Sequence, residues 1–119
     1  MSIYKYFNPE QTETALIARV STSHFLDRLV IHEFQEELIN FVLAEHPQNL
    51  IVDFGRVQQI SSETVNALIR ARECILVHEG TLFLCDLRPE IREVFQLLNL
   101  DGTLFQIHDS LSAALIATQ

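Results

Sequence analysis

The chain has 119 residues, 48% of them apolar and 20% charged, with sixteen Asp and Glu against eight Lys and Arg for a formal charge of −8. This length predicts one domain that buries a core without disulfides or a structural metal, and this composition excludes a disordered segment. The acidic balance excludes the basic footprint of a nucleic-acid binder and favours basic protein surfaces as partners, while no apolar run reaches the roughly 18 residues of a membrane helix.

Residues 3–7 (Ile-Tyr-Lys-Tyr-Phe) are rich in β-formers, Asn8-Pro9-Glu10 is a turn signal, and residues 14–20 read as a second strand, so the chain is expected to open with a hairpin. Over residues 29–45, Val30, Phe34, Leu38, Phe41 and Val42 recur at helical spacing and predict an amphipathic helix that ends before Pro47. Residues 50–54 (Leu-Ile-Val-Asp-Phe) form an apolar run with one carboxylate, the pattern of a central strand covered on both faces.

A second helix carries Val65, Leu68, Ile69, Ile75 and Leu76, with Gly80 placed where a helix C-terminus takes positive φ. Residues 81–86 read as a buried strand. Pro89 then opens a third helix with the stripe Ile91, Val94, Phe95 and Leu98, finishing before Asp101-Gly102. Residues 104–108 are a short strand, and Asp109 is expected to cap a last helix bearing Leu111, Ala114 and Leu115. The order is β-β-α-β-α-β-α-β-α. Alternation after an opening hairpin implies a mainly parallel sheet with right-handed crossovers.

Cys74 and Cys85 match no metal or redox spacing and read as reduced core thiols. The N-terminal residues lack the features of a secretory signal, which makes the cytoplasm the expected location. The five histidines, His24, His32, His46, His78 and His108, form no His-x-x-x-His pair and no nucleophile motif, so neither a metal, a cofactor nor catalysis is expected. The Gly55 loop has one glycine and no following lysine, unlike a phosphate-cradling loop. Arg88 with Arg92, and Arg70 with Arg72, are placed to meet an acidic partner, although charges opposite an apolar stripe are usually a solvated face. Leu97 and Leu100 either extend a contact patch or pack in the core.

The informative segment is residues 52–65. Asp53 ends a strand, where it is either a general base or a hydrogen-bond acceptor for loop amides. Ser61 is a suitable N-cap, with Ile60 and Val65 at the two positions of a hydrophobic staple. Ser62 is then the first helical residue, its side chain directed outward from a firmly held backbone. A phosphate there adds about −1.5 to −2 charges near the positive end of the helix dipole and beside Glu63.

This segment resembles the STAS domain of bacterial anti-sigma-factor antagonists, whose pattern is a strand ending in Asp, a loop, and Asp-Ser-Ser-Gly opening a helix. Aligned on Asp53 and Val57, Ser61 falls on the motif's Asp, Ser62 on its first Ser, Glu63 on its second and Thr64 on its Gly. The similarity continues through residues 80–84, 91–100, 104–105 and 109–115. It implies an α/β STAS-like fold, with a mainly parallel, mixed sheet, an N-terminal hairpin and about four helices. It also implies a non-enzymatic regulator whose partner is an anti-sigma factor of the serine-kinase type, with a phosphatase as a second partner, and whose phospho-acceptor is Ser62, with Ser61 as the alternative. Asp53, Ser61, Glu63, Thr64, Asn66 and Ala67 would line the contact. Two further readings stay open: a scaffold or oligomerisation module that uses the same surface unphosphorylated, and a small-ligand sensor.

Overall fold

The computed structural model describes residues 3–119, which form seven strands and four helices. Strands β1 (Phe7–Gln11), β2 (Leu16–Val20), β4 (Asn49–Asp53), β6 (Thr81–Cys85) and β7 (Gln106–His108) make one sheet in the order β1-β2-β4-β6-β7. The first pair is antiparallel and the others are parallel, so the sheet is mixed as expected. Between β2 and β4 lie the two-residue β3 (His24–Phe25) and helix α1 (Arg28–Glu45). Between β4 and β6 lie β5 (Gln59–Ile60) and α2 (Ser62–Val77), and α3 (Pro89–Leu97) and α4 (Leu111–Ala117) complete the chain.

The hairpin forms with a shifted register. Residues 8–10 lie inside β1 and pair with Arg19, Ala18 and Ile17, and the reversal comes later, where the Thr12 amide donates to the Ala15 carbonyl at 2.9 Å. Pro9 is tolerated because β1 is an edge strand. Tyr4 and Tyr6 instead anchor the preceding segment to α1. Tyr4 stacks on Phe7 at 4.6 Å and meets Phe41 edge-on at 5.3 Å, while the Lys5 and Tyr6 amides donate to the Glu37 carboxylate at 2.7 and 2.9 Å.

The central strand bears out its apolar pattern. Leu50 and Val52 point into the larger core beneath α1, α2 and α3, and Ile51 into the smaller core beneath α4, where it meets Ile17, Phe83, Cys85 and Ala114. Helix α1 starts one residue before the predicted position because the Asp27 carboxylate caps it, accepting from the Leu29 and Val30 amides at 2.8 and 3.2 Å.

Two cap assignments change. Glu79, at φ 61°, takes the left-handed position after α2, whereas a Cβ on Gly80 would lie 2.6 Å from the Pro47 carbonyl oxygen and 2.7 Å from Ile75 Cγ1, so Gly80 is required for close packing. Ser110, not Asp109, caps α4, accepting from the Ala113 amide at 3.1 Å. Asp109 is drawn to Arg92, 2.7 Å away, which also holds Asp101 at 2.9 Å and the Ile107 carbonyl at 3.3 Å. Arg92 therefore ties α3 to the end of the sheet. Among the described residues no helix is long and apolar enough to cross a membrane.

Candidate docking site at the start of helix α2

The site begins where β4 ends. Asp53 Oδ1 accepts from the Gly55 amide at 2.8 Å, and Oδ2 lies 3.4 Å from Arg19, whose guanidinium also holds Glu10 at 2.7 Å. The carboxylate is thus engaged in forming its own loop. The hollow it lines, about 150 Å³ between Asn8, Arg19 and Arg56, includes none of residues 61–67. The Asp53 carboxylate also lies within 4.8 Å of Asp86 and Cys85, a potential cation ligand set. Burial, reinforced by the Asp53 charge, pushes the Cys85 thiol well above the usual range.

From Gly55 the chain crosses to α2 along a neighbour that the sequence did not reveal. The Ser23 carbonyl accepts from the Gln58 and Gln59 amides at 2.7 and 3.2 Å, His24 and Phe25 pair in parallel with Gln59 and Ile60, and the Phe25 carbonyl accepts from the Ser61 amide at 3.1 Å. The segment leading into α1 is consequently bonded to the segment leading into α2. Two-residue strands carry no periodicity, which is why pattern reading passes over them.

Ser61 takes the N-cap position, with φ −108° and ψ 171°, as predicted. The turn is completed by Thr64 at N3, whose Oγ1 accepts from the Ser61 amide at 3.3 Å and donates to the Phe25 carbonyl at 3.2 Å. Val65 is buried and Ile60 packs against the same core, consistent with the staple.

Of the predicted contact residues, Ser62, Glu63 and Asn66 are exposed and Ser61 is half-buried. Thr64 and Ala67 are fully buried. Thr64 bonds to the Phe25 carbonyl and Ala67 packs in the larger core, so neither side chain is open to a docked partner, which corrects their placement on the contact surface. Ser62 and Asn66, four apart, share the outward face of α2.

Two hollows near this turn differ in their lining. Toward α1 lies an open groove of about 580 Å³ lined by Arg28, Leu29, His32, Glu63, Asn66 and Arg70. Arg28 reaches Glu63 at 3.4 Å, and Arg70 is oriented by the neutral Gln35 at 2.9 Å. Toward α3 lies a smaller trough of about 240 Å³ with Leu26, Ile60, Ile91 and Val94 as its apolar lining. Leu97, on α3, is 78% exposed, whereas Leu100 packs on the core.

A model of the STAS domain family matches residues 6–114. The chain belongs to this family. A Bordetella bronchiseptica protein assigned as an anti-sigma factor antagonist, BtrV, is 30% identical over 70 residues, covering 59% of this chain and 60% of the relative. The match thus spans three fifths of that relative's length. Among solved structures, a Thermotoga maritima protein assigned as an anti-sigma factor antagonist superposes with a TM-score of 0.81 at 19% identity over 94% of this chain and 93% of the other. The phosphorylated form of the Bacillus cell-fate determinant SpoIIAA superposes with a TM-score of 0.69 at 18% identity over 95% and 99%. At these identities the solved structures establish the shared STAS fold.

Proposed function

We infer that this STAS domain is a protein-binding switch of the anti-sigma-factor-antagonist kind rather than an enzyme. It engages a serine-kinase-type anti-sigma partner through Ser61, Ser62, Glu63 and Asn66, with Ser62 as the phospho-acceptor. The observation that carries this reading is the exposure of Ser62 at the first position of α2, on a turn held by backbone bonds and by Thr64 and not by Ser62 itself. A phosphate on that side chain changes the surface while the turn beneath it stays bonded. Ile60, two residues before the acceptor, lines the Leu26–Val94 trough, which offers a partner apolar area to cover. Ser61 is the weaker acceptor, since it is half-buried at the cap. The family relatives assigned as anti-sigma factor antagonists, and the Bacillus protein solved in its phosphorylated form, support the same reading.

The test uses the wild type with Ser62→Asp and Ser62→Ala against a partner captured from native lysate. Ser62→Asp weakens the complex with thermal unfolding nearly unchanged, and Ser62→Ala binds but accepts no phosphate. Equal affinity of all three forms refutes the switch. One feature favours a second reading, a scaffold that docks without modification: Glu63 already places a carboxylate beside Ser62. Intact-mass measurement of native protein separates the two, because the scaffold never gains the mass of a phosphate.

A further inference from the structure

The other end of α2 carries a feature that the proposed switch does not use. His46 caps α1, with its amide donating to the Val42 carbonyl at 2.9 Å, and His78 caps α2, with its amide reaching the Ile75 carbonyl at 3.2 Å. Far apart in sequence, the two imidazoles meet in space with ring centroids 4.7 Å apart and planes at 82°.

The geometry points to a transition-metal site at this pair, with the imidazoles of His46 and His78 as its two protein ligands and water completing the coordination. Metal–imidazole bonds of about 2.0–2.1 Å, with a further ~1.1 Å from nitrogen to ring centre, put each centroid about 3.2 Å from the ion. A ligand–metal–ligand angle of about 90–109° then separates the centroids by about 4.5–5.2 Å. The observed spacing lies within that interval. Both rings are exposed, so rotation about χ2 selects the nitrogen that faces the ion.

The surroundings favour a cation. Both histidines lie at the negative ends of long helices, where carbonyl oxygens lack intrahelical donors. Glu45 and Glu79 adjoin them in sequence and are exposed, and the polar hollow of about 230 Å³ beside His46 contains Glu13 and Glu45 and no Lys or Arg. The frame is preformed. His46 is held at φ 48° ahead of Pro47, Gly80 packs on the Pro47 carbonyl, and the Thr81 amide donates to Gln48 at 2.8 Å. Imidazole donors select zinc, copper or nickel over the hard cations magnesium and calcium. The remaining histidines are engaged elsewhere: His24 with Ser23 at 2.7 Å, His32 beside Glu36 at 3.9 Å, and His108 against the Phe83 ring. The site is at the opposite end of a helix roughly 24 Å long from Ser62 and does not depend on the docking surface.

The test is titration of tag-free protein with Zn²⁺ and Ni²⁺ by calorimetry, with imidazole resonances followed by NMR. The expected result is one ion per chain, shifts at His46 and His78, and a rise in Tm on metal addition. His46→Asn, which tolerates the left-handed backbone, and His78→Gln each lower affinity at least about tenfold with the fold intact by circular dichroism. His24→Ala/His32→Ala binds as wild type. Unchanged affinity in the His46 and His78 variants, loss in the control variant, equal binding of Mg²⁺, or no binding at all overturns the proposal.

Discussion

Thr64 aligns with a glycine of the family motif, and its burial makes it the residue on which the Ser62 turn depends. Replacing it with valine keeps the β-branched shape and removes the hydroxyl that accepts from the Ser61 amide and donates to the Phe25 carbonyl. Neither backbone group is left without a partner, because the Ser61 amide still donates to the Phe25 carbonyl at 3.1 Å. The loss is therefore about 1–1.5 kcal/mol, the net value of one buried hydrogen bond and part of another, and not the full penalty for an unsatisfied polar group. The added methyl faces those two polar atoms, so its burial offsets little. An unfolding entropy of about 2.1 cal/mol/K per residue gives roughly 0.25 kcal/mol/K for this chain, so Thr64→Val should lower Tm by about 4–6 °C. The measurement is thermal denaturation by circular dichroism, together with amide hydrogen exchange at Ser61, which should accelerate. A Tm within about 1 °C of wild type and unchanged exchange at Ser61 would refute the role assigned to Thr64.

Other expectations follow from packing. Gly80→Ala places a methyl against Pro47 and Ile75 at distances that real contacts do not adopt and should cost about 1–3 kcal/mol, seen as a lowered denaturation midpoint. Gly80→Asn should be at least as damaging; rescue by asparagine would show that conformation rather than space governs the position. Glu79→Gly, at φ 61°, should stabilise by up to about 1 kcal/mol in the same assay, and a loss would contradict the cap assignment. In native protein a thiol reagent should label half-buried Cys74 and leave Cys85 unmodified until denaturant is added, because burial and the Asp53 charge hold that thiol protonated. Mapping of the modified peptide by mass spectrometry decides it, and early labelling of Cys85 counts against the buried assignment.

Long elements with a strong period were legible in the sequence. The α1 and α3 stripes, the two-sided apolar run of β4 and the Ser61 cap follow from local rules that agree with the tertiary arrangement. The discrepancies arise where local rules compete. Asn8-Pro9-Glu10 has turn composition, yet an edge strand accommodates its proline. Asp109 and Ser110 are adjacent capping residues, and Arg92, distant in sequence, decides between them. Gly80 signalled a left-handed cap, but its physical requirement is space beside Pro47, which only the folded structure reveals. The site shows the same division. Ser62 is exposed at the start of α2 as expected, whereas the burial of Thr64 and Ala67 depends on how α2 packs into the fold, and the approach of His46 to His78 depends on both helices ending together.

The pairing of β3 with β5 is made by main-chain groups, from the Ser23 carbonyl to two amides and from Phe25 to Ser61. Main-chain bonds are present whatever side chains the residues carry, provided none is proline. The segment before α2 can therefore accumulate substitutions at its outward positions without losing its path through space. Sequence divergence at such a turn changes what it presents to a partner much faster than where it presents it. A lineage is thus able to exchange binding specificity while inheriting the same platform.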